Sequence, residues 1–151
     1  MLFQWEVGKH SPAHVVATFL DPQKVDTPAV SFARRLFEGT IDNASTLDPM
    51  LSEHAKNWRI ERMAAVDRNV LRVALFELLH HPETPPAVVI NEALEIARRF
   101  SGEDSAEFVN GVLDAILKAL PAATPTSDST PPTSATKRLA SKKRAPRSRK
   151  N

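Results

Sequence analysis

The stretch Val66-Asp67-Arg68-Asn69-Val70-Leu71-Arg72-Val73-Ala74-Leu75-Phe76-Glu77-Leu78 decides the fold. Val66, Val70, Val73, Ala74, Glu77 and Leu78 recur at spacings of three and four, which places them on one stripe of a helix. Leu71, Leu75 and Leu79 widen that stripe. The resulting helix, from about Met63 to His80, is apolar around most of its circumference. A helix of that kind is usually central in a bundle, because only neighbours on several sides can cover it.

Working outward, proline punctuates the chain at helix starts. Met1–Val7 reads as the end of a helix stopped by Gly8. Ser11-Pro12 and Thr27-Pro28 each supply an N-cap and a first-turn proline, and Asp48-Pro49 reads the same way. Behind these starts lie Val15, Val16, Phe19 and Leu20, then Val30, Ala33, Leu36, Phe37 and Ile41, then Met50, Leu51, His54, Ala55 and Trp58. Downstream of the central helix, His81-Pro82 marks a stop and Thr84-Pro85-Pro86 a new start, with Val89, Ala93, Ile96, Ala97 and Phe100 inward and Gly102 closing it. Asp104 and Glu107 have capping-box spacing ahead of Phe108, Val109, Val112, Leu113, Ile116 and Leu117. The expected fold class is all-α, a compact bundle of about seven helices with short connections.

Of the 151 residues, those up to Leu120 are rich in large apolar side chains, and those from Pro121 on have almost none. Residues 1–120 form the expected folded domain, and residues 121–151 the expected disordered tail, Pro/Ser/Thr-rich and then Lys/Arg-rich. The formal net charge of +2 conceals a division. Twelve basic residues face 17 acidic ones before residue 121, and eight face one after it. An acidic body suits a basic protein partner, whereas the tail, with Lys142, Lys143 and Arg144 most concentrated, suits nucleic acid.

The composition excludes several chemistries. With no cysteine there is no disulfide, thiolate metal site or thiol nucleophile. Four glycines leave no room for a phosphate-cradling loop, and no His-Glu-x-x-His motif occurs. His10 and His14 are four apart, but Ser11-Pro12 between them starts a new helix, so they are not expected to share a helical face or to hold a metal. His80 and His81 suit a helix C-terminus. Glu92 and Glu95 read as a solvated face, and Glu103, Asp104 and Glu107 as acids favoured near a helix start. No catalytic residue, metal or cofactor is expected. No apolar run approaches the ~18 residues of a membrane span, and a cytoplasmic location is expected. Phe19, Phe32, Phe37 and Phe100 fit core stripes. Phe108 fits either the core or a rim where a base stacks on it.

The quoted central stretch resembles the corresponding helix of the NusB family. The segment Pro86-Ala-Val-Val-Ile-Asn-Glu-Ala-Leu-Glu-Ile-Ala-Arg-Arg-Phe100 is similar to that family's next helix, and Glu103-Asp-Ser-Ala-Glu-Phe-Val-Asn-Gly-Val-Leu-Asp114 to its last. The resemblance implies two small helical subdomains and a non-catalytic antitermination factor. It implies pairing with the small-subunit ribosomal protein NusE, binding of single-stranded boxA RNA, and entry into an RNA polymerase complex that supports ribosomal RNA synthesis. On the RNA side, the matching positions are Asp104, Ser105 and Phe108. Phe108 would stack, Ser105 would bond a phosphate or a base, and Asp104 would cap the helix and restrict which RNA fits. On the partner side they are Asp67 and Phe3, with Asp67 pairing to a basic NusE residue. Asn91, Glu92, Asn110 and Gly111 belong to the motifs and read first as packing and hydrogen-bonding positions.

The family's opening Arg-rich segment has no counterpart here. Met1-Leu2-Phe3-Gln4-Trp5-Glu6 looks like the second half of its first helix, so either the start lies upstream or the arm is missing. Two other readings stand beside this one. One is an acidic helical protein-interaction module; the other is an RNA-binding module of an RNA methyltransferase system. A homodimer is a further assembly the residues leave open.

Overall fold

The computed structural model describes residues 1–20, 27–55 and 60–120. Seven α-helices lie among them: α1 (Leu2–Glu6), α2 (Pro12–Phe19), α3 (Pro28–Asp42), α4 (Ala44–His54), α5 (Ala65–His80), α6 (Pro86–Ser101) and α7 (Glu103–Ala119). A single 3-10 turn, Ile60–Arg62, precedes α5, and no strand occurs among the described residues. Trp58 and residues 121–151, Lys142, Lys143 and Arg144 included, lie outside the described residues.

The proline signals hold at three starts and fail at one. Ser11 Oγ accepts from the His14 amide and Thr27 Oγ1 from the Val30 amide, both at 3.3 Å, with Pro12 and Pro28 in the first turn. Pro86 opens α6 in the same first-turn position. Asp48-Pro49, expected to open a helix, lies inside α4. The helix begins earlier, directly after Asn43, whose side-chain amide donates to the Gly39 carbonyl at 2.8 Å and closes α3. Pro49 removes one helical hydrogen bond, but Leu47 and Leu51 on either side are completely buried. Each such leucine contributes about 1.5–3 kcal/mol, enough to hold the turn together. Asp48 is left free to serve a different helix.

The centre of the bundle is α5, packed against α1, α3, α4, α6 and α7. Its fully buried face carries Leu71, Ala74, Leu75 and Phe76, and also three polar residues, Asp67, Asn69 and Arg72. Val66, Val70 and Val73, expected in the core, are only half-buried. The apolar interior falls into two clusters. The larger joins α4 to α7 through Leu47, Leu51, Leu71, Leu75, Val109, Leu113 and Ile116. The smaller is Val15, Val16 and Phe37, against which Leu2, Trp5 and Ile41 pack. Gly39 of α3 lies directly under the Phe76 ring, where a Cβ would overlap the ring carbons. That close approach accounts for a glycine inside a helix, where it costs about 0.5–1 kcal/mol relative to alanine.

Of the four phenylalanines expected inside, only Phe37 is buried. Phe32 is half-buried and meets the His81 ring edge-on with centroids 5.6 Å apart. Phe19 is 44% exposed and Phe100 67%. Their helices present apolar side chains over a wider arc than the neighbouring helices cover.

Candidate nucleic-acid interface and partner groove

The chain passes from α6 to α7 through one residue, Gly102, at φ 101°, whose amide donates to the carbonyls of Ala97 and Arg98. A side chain rarely adopts that φ, and the tight corner starts α7 at Glu103, one residue before Asp104. Asp104 therefore does not cap the helix as expected. It is exposed in the first turn, where its charge suits the macrodipole. Glu103 turns back instead and takes a forked pair of hydrogen bonds from Arg98, 2.6 Å from Nε and 3.1 Å from Nη2. Those bonds hold the Glu103 carboxyl below the usual carboxylate range.

Ser105 and Phe108 follow, three residues apart and so on one face of α7. Phe108 is half-buried against the larger core cluster, between the two expected placements. Ser105 Oγ donates to Asp67 Oδ2 at 3.0 Å. Asp67 is only 7% exposed, beneath α7, and its other oxygen has no hydrogen-bond partner among the described residues. The two residues expected on separate surfaces are thus joined side chain to side chain.

A groove of about 890 Å³ runs between α5 and α6, closed at one side by α1 and α3. Val66, Val70 and Val73 form its floor, and Phe3, Val88, Ile96 and Phe100 its exposed walls. Phe3 is 49% exposed there. Glu77 and Glu92 also line it, adding negative charge to an otherwise apolar surface. Periodicity identified these apolar residues but could not separate a stripe covered by a neighbouring helix from one left open.

Next to the groove, and sharing Asn69 with it, lies an ionic network that the periodicity did not reveal. The Glu6 carboxylate accepts from Arg68 Nε at 2.8 Å, Arg72 Nη1 at 2.8 Å and Asn69 Nδ2 at 3.0 Å. Arg72 donates in addition to both oxygens of Asp48 at 2.7 Å, and Arg68 to the backbone carbonyls of Ile60 and Met63. Burial pushes the Glu6 carboxyl up, but the arginine hydrogen bonds and charges outweigh it and hold the group below its ordinary value. For Arg72, burial works against the charge and the same acids more than restore it. One signal was available, since Arg72 interrupts an apolar helix. The network ties α1 and α4 to α5, and α1 carries Phe3 into the groove.

His10 lies outside α2, so the two histidines share no helical face, as expected, although their rings meet. Lys9, at φ 56°, turns the chain back so that the His10 and His14 rings lie 4.9 Å apart. They are two imidazoles without a third ligand; among the described residues no group of three metal-ligating side chains occurs. No described helix is long and apolar enough to cross a membrane.

The described residues form an all-helical bundle with an open apolar groove and with Ser105 and Phe108 on one face at the start of α7, and none of this is the arrangement of a metal centre. The chain belongs to the NusB family, whose profile matches residues 1–118. The transcription antitermination protein NusB of Koribacter versatilis is 49% identical over 123 residues, spanning 81% of this chain and 84% of that one. Among solved structures, NusB of T. maritima is 41% identical with a TM-score of 0.71, covering 78% of this chain and 82% of that one. A crystal structure of the antitermination factors NusB and NusE in complex with double-stranded RNA superimposes with a TM-score of 0.71 at 25% identity, covering 79% and 89%. The protein is a non-catalytic transcription antitermination factor.

Proposed function

We propose that this chain binds boxA-like RNA across the first turn of α7 while a NusE-type ribosomal protein occupies the α5–α6 groove, and that the pair supports ribosomal RNA transcription within an RNA polymerase complex. The observation that carries the partner assignment is the groove, with four large apolar side chains exposed on its walls. Monomeric surfaces rarely leave so continuous an apolar face open. Glu77 and Glu92 favour a basic occupant over a second acidic copy of this chain. Phe3 is the proposed contact from α1. Asp67, the acid expected to pair with a basic NusE residue, does not line the groove and is buried beneath α7 against Ser105, so it is proposed to bear on the partner only indirectly. Copurification with the NusE-type protein tests the assignment; sedimentation showing a self-associated chain that ignores NusE would replace it with a homodimer.

On the RNA side, Phe108 supplies the stacking face. Phe108→Leu keeps apolar bulk against the core and removes the ring. It is expected to weaken RNA binding by about 1–3 kcal/mol, the contribution of one stacked base, with a small change in melting. Fluorescence anisotropy with single-stranded and duplex RNA measures it. An unchanged affinity together with a large fall in melting assigns Phe108 to the core alone.

The tail, with Lys142, Lys143 and Arg144, is proposed to neutralise phosphates without sequence preference. Each such contact on a single strand adds about 0.7 to the salt slope. Removing residues 121–151 is expected to flatten the slope and weaken binding to all RNAs about equally, leaving preference between sequences intact. The same slope with and without the tail makes it an appendage.

A further inference from the structure

The Ser105 hydroxyl has one hydrogen, and the geometry spends it on Asp67 Oδ2 at 3.0 Å. A carboxylate only accepts, so the direction of that bond is set by chemistry. What Ser105 can offer outward is a lone pair. A phosphate oxygen also only accepts, and the two cannot bond. We infer that Ser105 is a specificity-determining residue that accepts a hydrogen bond from an N–H on a base edge, with Asp67 as the positioning residue that fixes its polarity.

Three further observations support this. Ser105 is half-buried, so part of it faces outward. Phe108 lies three residues on along the same face, about 4.5 Å along the axis, so a base stacked on the ring brings its edge within reach of Ser105. Asp67 is 7% exposed, and its second oxygen has no partner among the described residues. With Oδ1 unpartnered among the described residues, this buried carboxylate depends on the bond from Ser105, which favours keeping the hydroxyl turned inward. A serine without that acid would rotate freely and bond phosphates as readily as bases. The pair converts an ambivalent hydroxyl into an acceptor that distinguishes base edges.

The inference rests on the α7 RNA-binding reading and is tested with the full chain and two probes. One is a short oligouridylate; the other is the same oligomer methylated at N3, which keeps the backbone and stacking face and loses uracil's only N–H donor. The wild-type chain is expected to prefer the unmethylated probe by about three- to tenfold, the effect of one hydrogen bond. Ser105→Ala should reduce that preference to less than about twofold. If leaving Asp67 unpaired lowers melting too far, Ser105→Ala combined with Asp67→Ala carries the same test without a stranded carboxylate. Equal weakening of both probes by Ser105→Ala, or no wild-type preference at all, overturns the inference while Phe108→Leu still reports on RNA binding. A wild-type chain that binds neither probe removes the RNA-binding reading itself, and this inference with it.

Discussion

Arg72→Met is expected to lower the unfolding free energy by about 1.5–3 kcal/mol, the cost of losing charge-assisted hydrogen bonds, since Asp48 is partly exposed and Glu6 keeps Arg68 and Asn69. Arg72 is 6% exposed and its donors reach Glu6, Asp48 and Asn69. Methionine fills much of the same volume, so the effect isolates the lost charge and hydrogen bonds from a lost stem. The network as a whole adds less net stability than this figure, because desolvating its ions offsets most of the attraction. Its principal effect is positional. None of the five residues of α1 is fully buried, and Glu6 is the anchor that ties the helix to α5. The variant should therefore also weaken partner binding, through a displaced Phe3.

The pH dependence follows in sign from Glu6, whose folded carboxyl is held below its ordinary value. Stability from that group is fully present above the usual carboxylate range of about 4 and is lost as pH falls through the lowered folded value. The gap between wild type and Arg72→Met should accordingly narrow in acid. Urea titrations at neutral and acid pH measure both effects. A neutral-pH difference under about 1 kcal/mol would mean that solvent replaces the bonds.

The second large effect is expected from Val73→Lys. Val73 lines the groove floor, half-buried and outside the group packed on the main core, so the bundle should keep its melting temperature within a few degrees. The ammonium would sit in the apolar centre of the proposed NusE surface and oppose a basic partner. Burying or repelling a charge at an interface centre costs several kcal/mol, so the affinity should fall about 100-fold. Calorimetric titration with the NusE-type protein checks this. Unchanged affinity places the partner on another surface.

The helical class, the order of the elements and the central place of α5 are all legible in residues 66–78 and in the Ser11-Pro12 and Thr27-Pro28 starts. Each of these depends on contacts within a few residues, through periodicity and capping, and local signals survive whatever the neighbours do. The resemblance of three motifs also belongs to the sequence, and it brought Ser105, Phe108, Phe3 and Asp67 to notice. Tertiary structure alone decided which apolar stripe is covered. Val70 and Leu71 are equally hydrophobic, yet one lines a groove and the other is completely buried, because α4 and α7 reach only one side of α5. It also overrode Pro49, which stays helical because Leu47 and Leu51 are buried around it. Above all it decided the polar partnerships. Glu6 meets Arg72 across 66 positions and Ser105 meets Asp67 across 38. Hydrogen bonds need particular atoms within about 3 Å, and no pattern of spacing along a chain specifies that distance between helices.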